Sequence, residues 1–588
     1  MKTLCLHGLI WTVCEPAMDS RGLTLILGRM PEDADPQHCV AAGPWCFAGQ
    51  EEAFAGWESR FTFAPEPLRD PDALELAVRQ AEALYADNLQ AIAARLCPHS
   101  ADLPAAYWET LLTAWGIDVA RQIIERWSRV KAMTEEWGKT PLHVPLLPEN
   151  CSFSFQAEHD VTLYGALGIP FNHWLFSRLL EACRPEAWTG EWLPPVSETY
   201  GQQAPTRLKD RLRSVANNLL LSLPCPRLKG MSLCQSLLFS LALLHPGRGE
   251  DKSLPITATF GSSATGVDAR LPLDPLPLFL AALPESLKKL QHPRALHQGR
   301  SAFTRVASIQ SYENTAYRQK LAIWRGRGNR LIYVQHGCGY GQTRTSCVAE
   351  LVEYSQHAFI TWGWSAHAGR RGNFIPLPYP QLARLAERRK ISGERRLLFV
   401  GTEIPAFGYR LDSYPTPLQL VRYRADKERF FKTLGREIQS RALYRPYFPV
   451  PGTLRDAEWL LPRFPDVRLC AGPLPPQMLG CSLLVLDHPG TTLHEALAAN
   501  IPTILYWTPE HWFLTPEGQA MLDVLKKAGI WHCAPEKAAI KALEVWEDPA
   551  AWWRGGTVQT GRKIWCAKYA MTVKGSENLR WLRTLMEL

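Results

Sequence analysis

Residues 482–506 constrain the fold more than any other stretch: Ser-Leu-Leu-Val-Leu-Asp-His-Pro-Gly-Thr-Thr-Leu-His-Glu-Ala-Leu-Ala-Ala-Asn-Ile-Pro-Thr-Ile-Leu-Tyr. An apolar run over 482–487 stops at a His-Pro-Gly turn. A helical pattern over 491–500 follows, and a second apolar run over 503–507 comes after Pro502. Continuous apolar runs of this length are strands buried on both faces, and strand–loop–helix–loop–strand is a βαβ unit. The alternation continues on either side. Residues 397–401 read as a strand ending in a glycine turn, and 427–440 and 520–528 as helices. The fold class this predicts is α/β, built on parallel, doubly wound sheets.

The first half is less regular. Residues 23–28 read as a short buried strand. Asp70-Pro71 opens a helix to about residue 96, with Asp as N-cap and Pro in the first turn. A second long helix over 105–133 carries Trp108, Trp115 and Trp127 among aliphatic residues. Helix packing is the main reading of that stripe, and an acceptor-binding surface the lesser one. Residues 171–183 read as a helix, while 184–210 and 245–280 are rich in Pro, Gly and charge and are expected as loops. Residues 311–327 form a basic helix. The strand at 331–334 runs into Gln335-His336-Gly337-Cys338-Gly339-Tyr340-Gly341, and the strand at 357–361 into Trp362-Gly363-Trp364. Residues 381–396 are strongly basic, a solvated helix or a linker between halves. The tail over 544–588 is helical and rich in Trp.

Composition closes off other classes. Over 588 residues, 65 basic against 57 acidic side chains leave +8, modest for the length. No nucleic-acid partner is expected; acidic ligands or an anionic membrane surface suit such a chain. The 15 cysteines are scattered without a CxxC pair, so neither a disulfide framework nor a zinc ribbon is expected, and the reduced cytoplasm is the expected compartment. No apolar run reaches the length of a spanning helix. Residues 1–14 faintly resemble a signal peptide, but His7 interrupts the apolar stretch and no small-residue cleavage site follows. Walker A, GxGxxG, HExxH and GxSxG signatures are missing, and no clear DxD pair for holding a metal-bound diphosphate stands out, which points away from P-loop ATPases, dehydrogenases, zinc proteases and serine hydrolases.

Two segments can carry chemistry. In the βαβ unit, the carboxyl end of the strand faces the amino end of the helix, where ligands bind. Gly490 lets a ligand approach the backbone, and Thr491 and Thr492 offer caps and hydroxyls. Free amides and the helix dipole there favour a phosphate or carboxylate. Glu495, one turn further in, can accept hydrogen bonds from ribose hydroxyls or act as a reciprocal cap. The other segment is the glycine-rich loop at 335–341. It either approaches a ligand with His336 as donor or acid–base, or is a turn around a buried, satisfied histidine. Acidic candidates for base or nucleophile are Glu158, Asp160, Glu350 and Glu353. Arg445 either pairs with a phosphate or forms a surface salt bridge.

Taken together, these residues resemble the GT-B glycosyltransferase architecture, and more narrowly the transferases of O-antigen and surface-polysaccharide gene clusters. The resemblance rests on residues 107–129, 335–341, 361–364, 397–409, Arg445, 487–507 and 529–532. His488-Pro489 is also similar to the His-Pro motif of bacterial sialic acid and Kdo transferases, which binds the CMP of the donor. The resemblance implies two Rossmann-like domains facing across a cleft, with helical additions in the first. An acceptor-side domain would span 1–390, a donor domain 391–545 and a helical tail 546–588 that packs back on the first. It implies transfer of a sugar, for instance a CMP-activated ulosonic acid, from a nucleotide donor to a glycan or lipid-linked acceptor, without metal or cofactor. Donor binding would fall to Gln335, Gly337, Tyr340, Arg445, Asp487, His488, Pro489, Gly490, Thr491, Thr492 and Glu495, and catalysis to His336, Asp160 and Glu350. Peripheral contact with the inner face of the membrane would use the basic patches. Other readings are a polyol-phosphate transferase of the CDP-glycerol type, a nucleotide-sugar epimerase, or a non-catalytic binding scaffold.

Overall fold

The computed structural model describes residues 22–201, 220–244, 250–256, 270–297, 303–345, 349–388, 395–408, 410–413, 415–447, 453–573 and 575–588. The reading of residues 1–14, residue 409 of the 397–409 stretch and the side chain of Glu350 fall outside that description.

The chain is α/β with parallel sheets, as expected. In chain order, β1 (Leu23–Ile26), β2 (Cys39–Ala41), β3 (Thr62–Phe63), β4 (Leu142–Leu146), β5 (Ser152–Phe155), β6 (Trp188–Trp192) and β7 (Ser197–Tyr200) come first. Five of these make a sheet of order β3-β2-β1-β4-β6, and β5 pairs with β7. A second large sheet follows, of order β11-β10-β9-β8, from β8 (Thr304–Ala307), β9 (Arg330–Val334), β10 (Ala358–Thr361) and β11 (Phe374–Pro376). Among the described residues the first half therefore holds two large sheets and the small β5–β7 pair, where the resemblance implies one sheet. Residues 188–192 and 197–200 lie in the segment expected as loop. They become strands because β4 and β5 offer them parallel partners over five and four residues.

The second half holds one six-stranded parallel sheet of β12 (Leu397–Val400), β13 (Ala442–Arg445), β14 (Arg468–Leu469), β15 (Leu483–Leu486), β16 (Thr503–Tyr506) and β17 (Trp531–His532). Its order is β14-β13-β12-β15-β16-β17. The chain leaves β12 first to one side and later returns to the other, so a crevice opens at the carboxyl ends of β12 and β15. The apolar runs explain themselves here. Leu397, Phe399, Leu483, Val485 and Ile504 face one core with Phe430, Phe431 and Ala542. Leu398, Val400, Leu484, Leu486 and Leu505 face the other with Leu493 and Leu497. Alternate residues serve opposite faces, and each buried side chain contributes about 1.5–3 kcal/mol.

Two helices of the first half set the geometry. Pro71–Leu96 starts where Asp70 accepts from Asp72 N (2.9 Å) and Ala73 N (3.0 Å), as its sequence predicts. Ala105–Trp137 is a 33-residue spine. Trp108 and Trp115 are buried with Nε1 donating to Ser100 O and Ala282 O, 3.0 Å each, which is the packing reading of the stripe. The same helix buries Arg121, Arg126 and Arg129. Arg121 donates to Arg410 O (2.8 Å) and Arg126 to Gly408 O (2.5 Å), so the spine grips a loop of the second half. The C-terminal helices lie against first-half residues: Trp581 stacks on Phe239 at 5.5 Å and donates to Pro378 O (2.9 Å). Among the described residues, no helix is long and apolar enough to cross a membrane.

Candidate functional site

The loop after β9 is locked by a buried glutamine. Gln335 Oε1 accepts from Trp362 N (3.0 Å) and Trp364 Nε1 (2.9 Å), while Nε2 donates to Gly337 O (2.8 Å). Its own carbonyl accepts from Trp362 Nε1 (3.0 Å). The Gln-His-Gly and Trp-Gly-Trp segments, 27 residues apart, are thus one unit. Gly341 turns the loop at φ +71°, and a Cβ there would stand 2.8 Å from the Trp364 ring, so glycine is required.

His336 projects from this unit into a cavity of about 580 Å³. The cavity lies among the Ala105–Trp137 spine (Trp115, Asp118, Gln122), Glu158, the β9 loop and Arg410 of the second half. His336 Nε2 lies 2.9 Å from the Tyr340 hydroxyl and 3.2 Å from Glu353 Oε1. Tyr340 and Glu353 thus orient the ring through Nε2. Glu353 is fully buried and also accepts from the Tyr312 hydroxyl (3.1 Å). Asp118 presents a buried Oδ1 with no hydrogen-bond partner among the described residues. Burial pushes its carboxyl above the usual carboxylate range, partly offset by Arg410 and Arg121. Glu158 is already engaged by Arg318 and by the Thr315 hydroxyl (3.0 Å).

The βαβ unit meets the same loop. Gly490 is the N-cap of helix Thr491–Ala498 and no side chain caps it. A Cβ on Gly337 would lie 3.7 Å from Thr491 Oγ1, and the Cys338 thiol reaches the hydroxyl and amide of Thr491. Three consecutive residues, His336 to Cys338, therefore run from the cavity to the amino end of that helix. His494, one turn in, is fully buried. Its Nε2 accepts from Gln342 (2.8 Å), so Nδ1 carries the proton, 3.4 Å from Gly490 O. Burial lowers its pKa to about 4.

The crevice between β12 and β15 is latched. Asp487 Oδ1 accepts from Thr402 N (2.8 Å) and meets His488 Nδ1 (2.9 Å). Beneath it Lys427, fully buried, contacts Asp456 and lies 3.4 Å from Asp487 Oδ2. The two carboxylates more than offset the burial and hold the Lys427 ammonium charged. Glu403, also at this end, is pushed up to about 7 by burial and by Asp456.

Not every predicted residue is free for a ligand. Gln335 is consumed by the lock. Asp160 accepts from Ala157 N (2.8 Å) through Oδ2 and caps its own turn. Arg445 donates to Cys470 O (3.1 Å) and Gly472 O (2.7 Å) rather than pairing with an anion. Thr491 and Thr492 lie inside the helix instead of capping it. Glu495 forms no reciprocal cap; its buried carboxylate lies 3.4 Å from Lys229 Nζ. His488 and Pro489 sit half-buried in the turn before Gly490. Tyr340 is buried beneath His336. Asp118, Arg410, Glu403 and His494 were not singled out from sequence. For Asp118 a signal existed: it follows Trp115 by three positions and precedes Gln122 by four, which puts the three on one helix face. Among the described residues, no three His, Cys, Asp or Glu side chains gather in a way that could hold a metal ion.

Parallel sheets whose loops converge on a cavity lined by residues of both halves define an α/β fold with a ligand-sized cleft. The chain belongs to the LIC12162 family of transferases, whose model matches residues 23–585. No curated protein matches this sequence. Among solved structures, a variant of the wall teichoic acid polymerase TagF is similar at 9% identity and TM-score 0.28, over 46% of this chain and 74% of that one. Another TagF variant, soaked with CDPG, is similar at 9% identity and TM-score 0.26, over 82% of this chain and 96% of that one. Overlaps this loose leave the fold assignment to the sheets themselves.

Proposed function

We propose that the chain is a GT-B-type glycosyltransferase that moves a sugar from a nucleotide donor to a surface glycan or lipid-linked acceptor without a metal ion. The observation that carries this reading is the His336–Cys338 segment, which joins the cavity to the amino end of helix Thr491–Ala498. The helix amides and His488 meet the donor phosphate, and Arg410 adds positive charge from the cavity side. Asp118 takes the proton of the acceptor hydroxyl as its oxygen bonds to the anomeric carbon. The bond from that carbon to the phosphate oxygen breaks, and its electron pair leaves with the nucleotide. His336, oriented by Glu353 and Tyr340, serves the leaving phosphate. A CMP-activated ulosonic acid is the donor favoured by the His-Pro turn.

The test is a thermal-shift screen of the full chain with CMP-, UDP-, GDP- and CDP-linked donors, followed by turnover assays. Stabilisation by one nucleotide class with sugar transfer is expected. Turnover of CDP-glycerol alone would replace the sugar with a polyol phosphate. No stabilisation by any nucleotide would leave a binding scaffold and sink the transferase mechanism.

A further inference from the structure

Helix Leu233–Ala242 is built inside out. Its buried residues are Ser236, Phe239 and Ser240. Both serine hydroxyls turn inward to Cys225 O, at 2.6 and 3.3 Å. The leucines point the other way: Leu233, Leu237, Leu238 and Leu241, with Leu244 just beyond, are 40–62% exposed. Positions 233, 237, 241 and 244 fall on one stripe of a helix. No residue of the helix is charged. The adjoining helix Glu577–Glu587 is held to it by Trp581 stacking on Phe239 and by Gln235 Nε2 donating to Asn578 Oδ1 (2.8 Å). That neighbour exposes Leu579 (50%) and Met586 (58%).

Charged residues lie near this apolar face, Glu577 and Glu587 at the two ends of the neighbouring helix among them. Arg227 precedes the helix, and Arg580 and Arg583 stand exposed on the neighbour. Lys229, in the turn leading into the helix, pairs with Glu495 of the βαβ unit.

We propose that this leucine face seats the protein in the interface of an anionic lipid bilayer, with the surrounding arginines on the headgroups. An apolar stripe about 15 Å long, flanked by basic residues, has the form of a helix lying in the membrane plane. It is far too short to span a bilayer. Its chemistry fits lipid better than protein. Protein interfaces centre on aromatic residues and arginine with directional hydrogen bonds, whereas this stripe offers only aliphatic side chains. Lipid tails require nothing else. Charge complementarity selects the lipid: the exposed Arg227, Arg580 and Arg583 favour phosphatidylglycerol or another anionic headgroup over a neutral one.

The test is flotation of the full-length protein with vesicles of phosphatidylcholine alone or with about one-third phosphatidylglycerol. The wild type is expected to float with the anionic vesicles and to be released by salt. Leu237→Ser with Leu241→Ser should lower the partition coefficient by roughly tenfold per leucine. Both positions face water, so the variant should keep the wild-type circular dichroism spectrum and melting temperature. Arg580→Ala with Arg583→Ala should weaken binding to anionic vesicles and leave the weak binding to neutral ones unchanged. Wild-type protein that stays unbound would overturn the proposal, as would a double-serine variant that floats unchanged. A wild-type dimer that the double-serine variant loses would overturn it in favour of a second copy as the occupant. Because the vesicles contain no donor, this outcome is independent of the nucleotide screen.

Discussion

Acid should loosen the βαβ unit through one residue, His494. The ring is fully buried, with Gln342 donating to Nε2 and Trp362, Trp565 and Tyr569 around it. Protonating Nε2 would set two donors against each other, so the folded state resists the proton and burial lowers the pKa from 6.5 to about 4. In the unfolded chain the ring titrates at its ordinary value. Between these two values the unfolded state binds more protons, so stability is complete above 6.5 and is lost as pH falls toward about 4. Linkage from the two values gives a loss of about 2 kcal/mol at about pH 5 and almost none at about pH 7.5. His511 shifts in the same direction and Glu403 in the opposite one, so the wild-type profile alone does not isolate His494. The variant His494→Asn does, because the other groups are common to both proteins. Urea unfolding of each at the two pH values should show the wild type losing about 2 kcal/mol more on acidification than the variant. Equal losses in the two proteins would refute the argument.

Two further substitutions separate chemistry from scaffold. Asp118→Asn keeps the shape of a side chain whose Oδ1 has no hydrogen-bond partner among the described residues, so the melting temperature should hold while kcat falls by roughly 100-fold or more. An unchanged kcat would remove Asp118 from the reaction. Lys427→Met takes the nearby ammonium from buried Asp487 and one of two cations from Asp456, and should cost about 3–5 kcal/mol in urea unfolding. A variant as stable as the wild type would mean that the buried pair contributes nothing to the fold.

The sequence made the second half legible because both faces of its sheet are covered, so its strands appear as unbroken apolar runs. Residues 483–486 and 503–506 are strands within a residue of where the runs fall, and Asp70 caps its helix as written. The first half was harder for a physical reason. Strands β6 and β7 are held by parallel partners some 45 residues away, and local composition is silent about such pairing. The engagement of site residues was hidden in the same way. Gln335 and Arg445 carry suitable functional groups, but tryptophan groups and backbone carbonyls that only the folded chain brings near occupy them. Asp118 acquires its importance from Arg410, almost 300 residues away, and from a cavity that no single segment encodes.

The latch across β12 and β15 narrows where an anion can sit. In a doubly wound sheet the ligand lies over the crevice at the strand ends. Here Asp487 and Thr402 close that crevice with a direct hydrogen bond, and Lys427 fills the space below. The buried ammonium is already matched to Asp456 and Asp487, so it has little charge left for a phosphate. An incoming anion must stay above the latch, where Gly490 carries no Cβ and the first amides of helix Thr491–Ala498 begin. The glycine-rich loop lies beside that place: a Cβ on Gly337 would come into van der Waals contact with Thr491. A phosphate bound there would touch both halves at once, and the loop beside it also carries His336 into the cavity. On the proposed reading, donor binding and the placement of His336 are coupled, because residues 336–338 link the two places.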